Sequence, residues 1–237
     1  MKKRFAAIYI LLSILCLDYS PSAGNDLMDS SGLSGMINHF KPAVVTVIVY
    51  EYTGQVRQFG SGFFYSADGD FITNNHVLTI NRRASVKTFD GETLPVQSVI
   101  ERNEQYDFVK AKTGPSKGEF PFLPIATKLP RTGDPILVIG SPMGLEQTVS
   151  EGIVSAWRNI PDHGRVIQIT APISRGSSGG PVLNMNGEVI GVAAFQTKEG
   201  QNLNFAIPVT TIFGKTKPED RQLKIQKDAC GSIVISD

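Results

Sequence analysis

Ala43-Val44-Val45-Thr46-Val47-Ile48-Val49-Tyr50 is the stretch that decides the fold class. Valine, isoleucine and threonine branch at Cβ, are stiff at χ1 and pack well on a pleated surface, so the run reads as a strand. The same reading continues through Gln58–Tyr65, Phe71–Thr73, Ala84–Phe89, Leu94–Ile100 and Phe108–Lys112. A second set follows at Pro135–Ile139, Gln147–Trp157, Val166–Thr170, Pro181–Leu183, Val189–Phe195 and Leu203–Ile207. Asp68-Gly69-Asp70, Asp90-Gly91, Asn186-Gly187 and Glu199-Gly200 supply turn residues between them. Many short strands at close spacing predict an all-β sandwich or barrels. Gly114 to Pro135 carries Pro115, Pro121, Pro124, Pro130 and Pro135 and divides the strands into two sets of six, so it reads as the connection between two similar β-lobes. No internal repeat has an evident period.

Outward from the strands, a short helical stretch, Met36–Phe40, precedes Lys41-Pro42, and Gly24–Gly35 is a linker rich in Asp, Ser and Gly. Lys2, Lys3 and Arg4, the apolar run Phe5–Leu17 and the small residues around Ser20–Gly24 have the order of a secretory signal peptide. The run falls short of the roughly 20 residues of a membrane span, so cleavage and no stable span are expected. The chain ends in a polar tail with a strand candidate at Ser232–Ile235. Hydrophobic residues make up 41% and charged residues 19%, a balance that excludes a disordered chain, and a net charge of +1 offers no electrostatic case for nucleic acid. Of two cysteines, Cys16 lies in the signal and Cys230 in the tail, so no disulfide framework is expected although an exported compartment would permit one. No His, Cys, Asp and Glu cluster has zinc spacing, so neither metal nor cofactor is expected.

The chemistry is read by elimination. The chain has three histidines. His39 lies outside the strands, and His163 sits in the turn Pro161-Asp162-His163-Gly164. His76, in Phe71-Ile72-Thr73-Asn74-Asn75-His76-Val77, stands just past a strand end, where a side chain can face a cleft. Arg175-Gly176-Ser177-Ser178-Gly179-Gly180-Pro181 places a serine among glycines whose backbone freedom lets successive N–H groups converge on one point. Such a loop can hold a hydroxyl nucleophile and an oxyanion hole together, with Ser178 as nucleophile, the Gly176 and Ser178 N–H groups as donors and Ser177 lining the turn. A merely flexible Gly-Ser loop is the alternative. Asp107, in Tyr106-Asp107-Phe108-Val109, precedes a strand of the same lobe as His76 and can orient its imidazole. Asp90 is the rival, but Asp90-Gly91 reads as a hairpin turn. The chain order His, Asp, Ser is the chymotrypsin order.

Three segments extend these readings into a family resemblance. They are Gly60-Ser61-Gly62-Phe63 through His76-Val77, Gly140-Ser141-Pro142-Met143-Gly144 through Ser155, and Ile173 through Asn184 together with Asn204-Phe205-Ala206-Ile207-Pro208. Residues 36–213 resemble the trypsin-like proteases of the HtrA/Deg group. The resemblance implies a chymotrypsin-like double β-barrel of two six-stranded lobes, at about 36–113 and 135–213 joined by 114–134; the residues themselves give a signal at 1–23, a linker at 24–35 and a tail at 214–237. It also implies peptide-bond hydrolysis through an acyl-enzyme, polypeptide substrates that include unfolded exported proteins, and a periplasmic or secreted location. Rival functions are a non-catalytic peptide-binding or chaperone module of the same fold, and an esterase.

The resemblance is to the protease domain alone. No PDZ domain is expected after residue 213, the loop Glu51–Arg57 is short, and Ser177 stands where the group usually has Asn. Physiological substrate, oligomeric state and regulation stay open. In chymotrypsin-like enzymes the base of the primary specificity pocket lies six residues before the nucleophile, which implies Pro172 here. Val192, Ala193 and Ala194 would form its wall, narrowed by Phe205 and Ile207. An uncharged, narrow pocket implies cleavage after small aliphatic residues.

Overall fold

The computed structural model describes residues 32–79, 82–141, 147–161, 163–196, 203–214, 224–227 and 233–236. The expected signal, both cysteines, most of the linker and the Glu199-Gly200 turn lie outside them. A helix, α1 (Gly32–Phe40), leads through a 3-10 turn at Lys41–Ala43 into twelve strands. The first six are β1 (Val44–Tyr50), β2 (Val56–Phe64), β3 (Asp70–Thr73), β4 (Ala84–Lys87), β5 (Thr93–Asn103) and β6 (Phe108–Thr113). The next six are β7 (Pro135–Gly140), β8 (Thr148–Ile160), β9 (Gly164–Ile169), β10 (Pro181–Asn184), β11 (Val189–Gln196) and β12 (Asn204–Pro208). A short helix, α2 (Val209–Phe213), and a hairpin of β13 (Lys224–Lys227) with β14 (Ile233–Ser236) follow.

Each set of six closes into an antiparallel barrel, one in the order β1-β2-β3-β6-β5-β4 and the other β7-β8-β9-β12-β11-β10. The two orders are the same once the second set is renumbered from its own first strand. The chain thus repeats an architecture without repeating a sequence, because a barrel needs only alternation and turns, which many sequences satisfy. The turn glycines Gly69, Gly91 and Gly187 take the positive φ that the turn signals implied.

Period-two alternation sorts the apolar residues among three cores. Along β1, Val45, Val47 and Val49 fill the first barrel with Phe64, Phe71 and Val86, while Val44 turns outward. Along β7, Ile136 and Val138 fill the second barrel with Val154, Ile167 and Ile169. Leu137 and Ile139 on its other face join Val44, Phe63, Phe108 and Leu183 in a third core between the barrels. Helix α1 covers that seam with Leu33, Met36, Ile37 and Phe40 packed against it. The cleft that matters for function opens on this seam.

The connection between β1 and β2 is a tight turn closed by Glu51 N to Gln55 O at 2.8 Å and Gly54 N to Glu51 O at 2.9 Å. Arg57 and Arg82 both reach the Glu51 carboxylate, at 2.6 and 2.5 Å. The Arg57 hydrogen bond leads in holding that carboxyl below its usual range.

Candidate active site

His76 is carried beyond β3 by a turn in which the Val77 and Leu78 N–H groups both bond to the Asn74 carbonyl at 3.2 Å. Val77 and Leu78 are buried in the first barrel, and Gln58 Nε2 donates to the carbonyls of His76 (3.1 Å) and Val77 (2.6 Å), so the backbone around the imidazole is pinned from both sides. Its side chain is left half exposed.

Asp107 precedes β6 and is the one non-glycine residue with positive φ, 51°, among the described residues. That conformation costs on the order of 1–3 kcal/mol and persists only where neighbours over-determine it. Here the Asp107 carbonyl accepts from Asn74 Nδ2 at 2.8 Å and from Asn75 N–H at 3.2 Å. The turn aims the carboxylate at His76, and both oxygens engage it. Oδ1 accepts the His76 backbone N–H at 2.9 Å, and Oδ2 lies 2.7 Å from Nδ1. A carboxylate offers only lone pairs, so Nδ1 carries the proton and donates, which leaves Nε2 with a free lone pair.

The loop from Ser174 to Pro181 comes from the second barrel. Gly176, at φ 98°, and Gly179, at φ 90°, set its path. Ser177 N–H bonds to Ser174 O at 2.9 Å, Gly180 N–H to Ser177 O at 3.0 Å, and Gly179 N–H to Ala193 O at 2.8 Å. No backbone or side-chain acceptor among the described residues takes the Gly176 or Ser178 N–H. A side chain at Gly179 has no room, since a Cβ there would lie 2.1 Å from the Ser61 carbonyl oxygen and 2.5 Å from Thr73 Oγ1. Gly179→Ala is therefore expected to cost about 2–5 kcal/mol from backbone strain and overpacking together. Urea unfolding of the variant checks this, and an unchanged midpoint would contradict it.

Strand β11 contributes through two irregularities. Its pairing with β10 shifts between Val182 and Leu183, and its pairing with β12 shifts at Ala194, which is left out of the ladder. A bulge re-aims the residues it carries. The Ala194 carbonyl accepts the Ser178 hydroxyl at 3.0 Å. His76, Ser178, Gly176, Ala194, Ile173 and Phe59 line one cleft of about 860 Å³, rimmed by Arg57 and Arg175. A second cleft, of about 1020 Å³, is lined by Arg82, Arg83 and Arg102, and His76, Asp107 and Ser178 are not in its lining.

The residues expected to form the specificity pocket divide. Ala194 lines the cleft. Val192 is buried in the core between the barrels and Ala193 in the second barrel, as strand alternation dictates. Pro172 is exposed and does not line the cleft, whereas its neighbour Ile173 is buried and does. Phe205 and Ile207 are buried away from the lining. Ile173 and Phe59 were not singled out in the sequence. Phe59 reaches the cleft from β2 of the first barrel and Ile173 from just before the glycine loop, so only the meeting of the two barrels brings them together.

Two β-barrels meeting along a cleft that holds a serine on a glycine loop and a carboxylate-clamped histidine define a class, and the comparisons agree. Residues 60–192, more than half of the chain, match the trypsin-like peptidase domain, and the chain belongs to that family. It resembles proteins of the HtrA/DegP type. It is 40% identical over 161 residues to the "Probable periplasmic serine endoprotease DegP-like" of Bartonella henselae, covering 65% of this chain and 31% of that one. It is 34% identical over 189 residues to "Serine protease HTRA1" of Xenopus laevis, covering 74% and 40%. The chain thus spans less than half the length of these relatives. The crystal structure of the serine endoprotease from Yersinia pestis superposes with a TM-score of 0.67 at 29% identity, over 76% of this chain and 63% of that one.

Proposed function

We propose that this chain is a serine endopeptidase that hydrolyses peptide bonds in polypeptides, unfolded exported proteins among them, through an acyl-enzyme on Ser178. The observation that carries the reading is the double hydrogen bond from His76 to Asp107 beside a cleft that Ser178 shares. Asp107 holds Nδ1 protonated and leaves Nε2 as the base. The Ser178 hydroxyl turns from the Ala194 carbonyl toward Nε2 and gives up its proton as Oγ bonds to the substrate carbonyl carbon. The electron pair of the C=O bond moves onto the oxygen, where the free N–H groups of Gly176 and Ser178 stabilise it. Collapse breaks the C–N bond, and Nε2 passes its proton to the departing amine. Water, deprotonated by the same nitrogen, then adds to the acyl carbon; the ester bond to Ser178 Oγ breaks, the acid leaves, and Nε2 returns the proton to Oγ. A fluorophosphonate probe tests this directly. Labelling of Ser178 in the wild type with turnover of unfolded casein supports it, and absence of both overturns it. Labelling with turnover of small esters alone points to an esterase.

The cleft lining contains no carboxylate among the described residues, so nothing there pairs with a substrate Arg or Lys. Ile173 and Ala194 offer apolar contact, and each methylene they bury contributes about 0.8 kcal/mol. Cleavage after Val or Ala is expected to dominate in a peptide library, and dominant cleavage after Arg or Lys would refute the assignment. Among the described residues no helix is long and apolar enough to cross a membrane. The basic and apolar amino terminus and the relatives named as periplasmic support export.

A further inference from the structure

Ser61 lies on β2 of the first barrel, fully buried, yet two of its bonds end in the glycine loop of the second. Its N–H donates to the Ser178 carbonyl at 2.8 Å. Its Oγ donates to the Gly176 carbonyl at 2.6 Å. The direction of that hydroxyl proton is settled by chemistry, because the other neighbour of Oγ, at 2.8 Å, is the Ser141 N–H, which can only donate. Its carbonyl accepts from Thr73 Oγ1 at 2.7 Å, tying the residue to β3, the strand that leads to His76. Thus one residue captures the carbonyls of the two residues, Gly176 and Ser178, whose N–H groups face the cleft without a partner.

We propose that Ser61 is a positioning residue that builds the oxyanion hole across the barrel seam. The inference rests on the hydrolase reading above. Gly176 sits at positive φ without a side chain, so its two flanking peptide planes are easily turned. The plane on its carboxyl side is held by Ser61 Oγ on one edge and by the Ser177 N–H bond to Ser174 on the other. Fixing that plane restricts ψ of Gly176 and so helps to aim its own N–H. The Ser178 carbonyl is held in the same way, by the Ser61 N–H, beside the residue whose N–H and Oγ both act. The donors therefore come from the second barrel while their aim is set from the first, and the hole is complete only when the barrels are in register. Ser61 and Gly176 are both buried, so the Gly176 carbonyl has no ready substitute for the lost donor.

The test compares Ser61→Ala with Thr46→Val in the full chain. Thr46 Oγ1 bonds to Ser141 Oγ at 2.5 Å in the same buried network but touches neither Gly176 nor Ser178, so its loss disturbs the seam alone. The expected result for Ser61→Ala is a kcat reduced about tenfold to a hundredfold, with KM changed less than about threefold. Fluorophosphonate labelling should slow in parallel. A peptide boronate, whose adduct places an oxygen in the hole, should lose affinity by a similar factor, while a cleaved product peptide should not. Thr46→Val should leave all four readouts near wild type. If Ser61→Ala does not fold, Ser61→Cys, which keeps the bulk but donates weakly, carries the same expectation. Wild-type kcat and boronate affinity in the folded Ser61 variant, or equal losses in Ser61→Ala and Thr46→Val, would overturn the proposal while leaving the hydrolase intact. A wild type that takes no label and cleaves no peptide overturns the hydrolase reading and this inference with it.

Discussion

Ser178→Ala is expected to abolish turnover, with kcat falling by about 10⁶, while the protein stays folded. The magnitude follows because nucleophile and base act as a unit, so what remains after removing one is only what binding and the oxyanion donors supply. The fold should survive because the Ser178 hydroxyl makes one bond, to the Ala194 carbonyl. The bonds that hold the loop are made by backbone groups, including Ser61 N–H to Ser178 O and Gly179 N–H to Ala193 O, which alanine keeps. A single such hydrogen bond implies a net loss of about 0.5–1.5 kcal/mol, small against the loss of activity. Peptide turnover, fluorophosphonate labelling and thermal unfolding of the variant check both halves. Ser177 is the neighbour to exclude. It is buried, and its Oγ lies 3.3 Å from Ser174 Oγ rather than at the cleft. A dead Ser177→Ala beside an active Ser178→Ala would reverse the assignment.

Asp107→Asn should slow the enzyme by about 10⁴ without unfolding it, a magnitude taken from the same substitution in another serine protease. The direction follows from the two bonds the carboxylate accepts here. One donor is the His76 backbone N–H, at 2.9 Å, and it cannot become an acceptor. The amide of Asn must therefore turn its oxygen toward that N–H, which leaves its NH₂ facing Nδ1. Nδ1 must then accept, the ring proton moves to Nε2, and the nitrogen that should take the Ser178 proton already carries one. Packing is unaffected, since Asn has nearly the shape of Asp, and KM should move little. Steady-state kinetics beside a circular dichroism spectrum checks this. An Asp107→Asn enzyme with wild-type kcat would mean that the carboxylate only fastens the turn.

Strand positions were legible in the sequence because a half-buried strand writes its period of two into side-chain choice. Val45, Val47 and Val49 fill the first barrel while Val44 belongs to the seam. Strand ends were less legible. β5 runs on to Asn103 and β8 to Ile160, where exposed residues carry no alternation and only pairing with β6 and β9 keeps the backbone extended. The Gly176–Gly180 loop was legible because glycine is the one residue whose backbone freedom is written directly in its letter.

The sequence by itself determined the all-β class and two sets of strands, and it offered His76, Asp107 and Ser178 as candidates. It did so through local chemistry: alternation, turn glycines and residues at strand ends. Tertiary structure alone decided the rest. Asp107 reaches His76 because Asn74 and Asn75 hold it at positive φ, and that is a contact between β3 and the start of β6. Alternation turns Ala193 into the second barrel, and Ala194 lines the cleft where its pairing with β12 is interrupted. Ser61 and Gly176 are 115 residues apart in the chain and meet only where the barrels dock. Contacts of this kind depend on register and on the close approach of distant backbones, which a sequence constrains only through the whole fold.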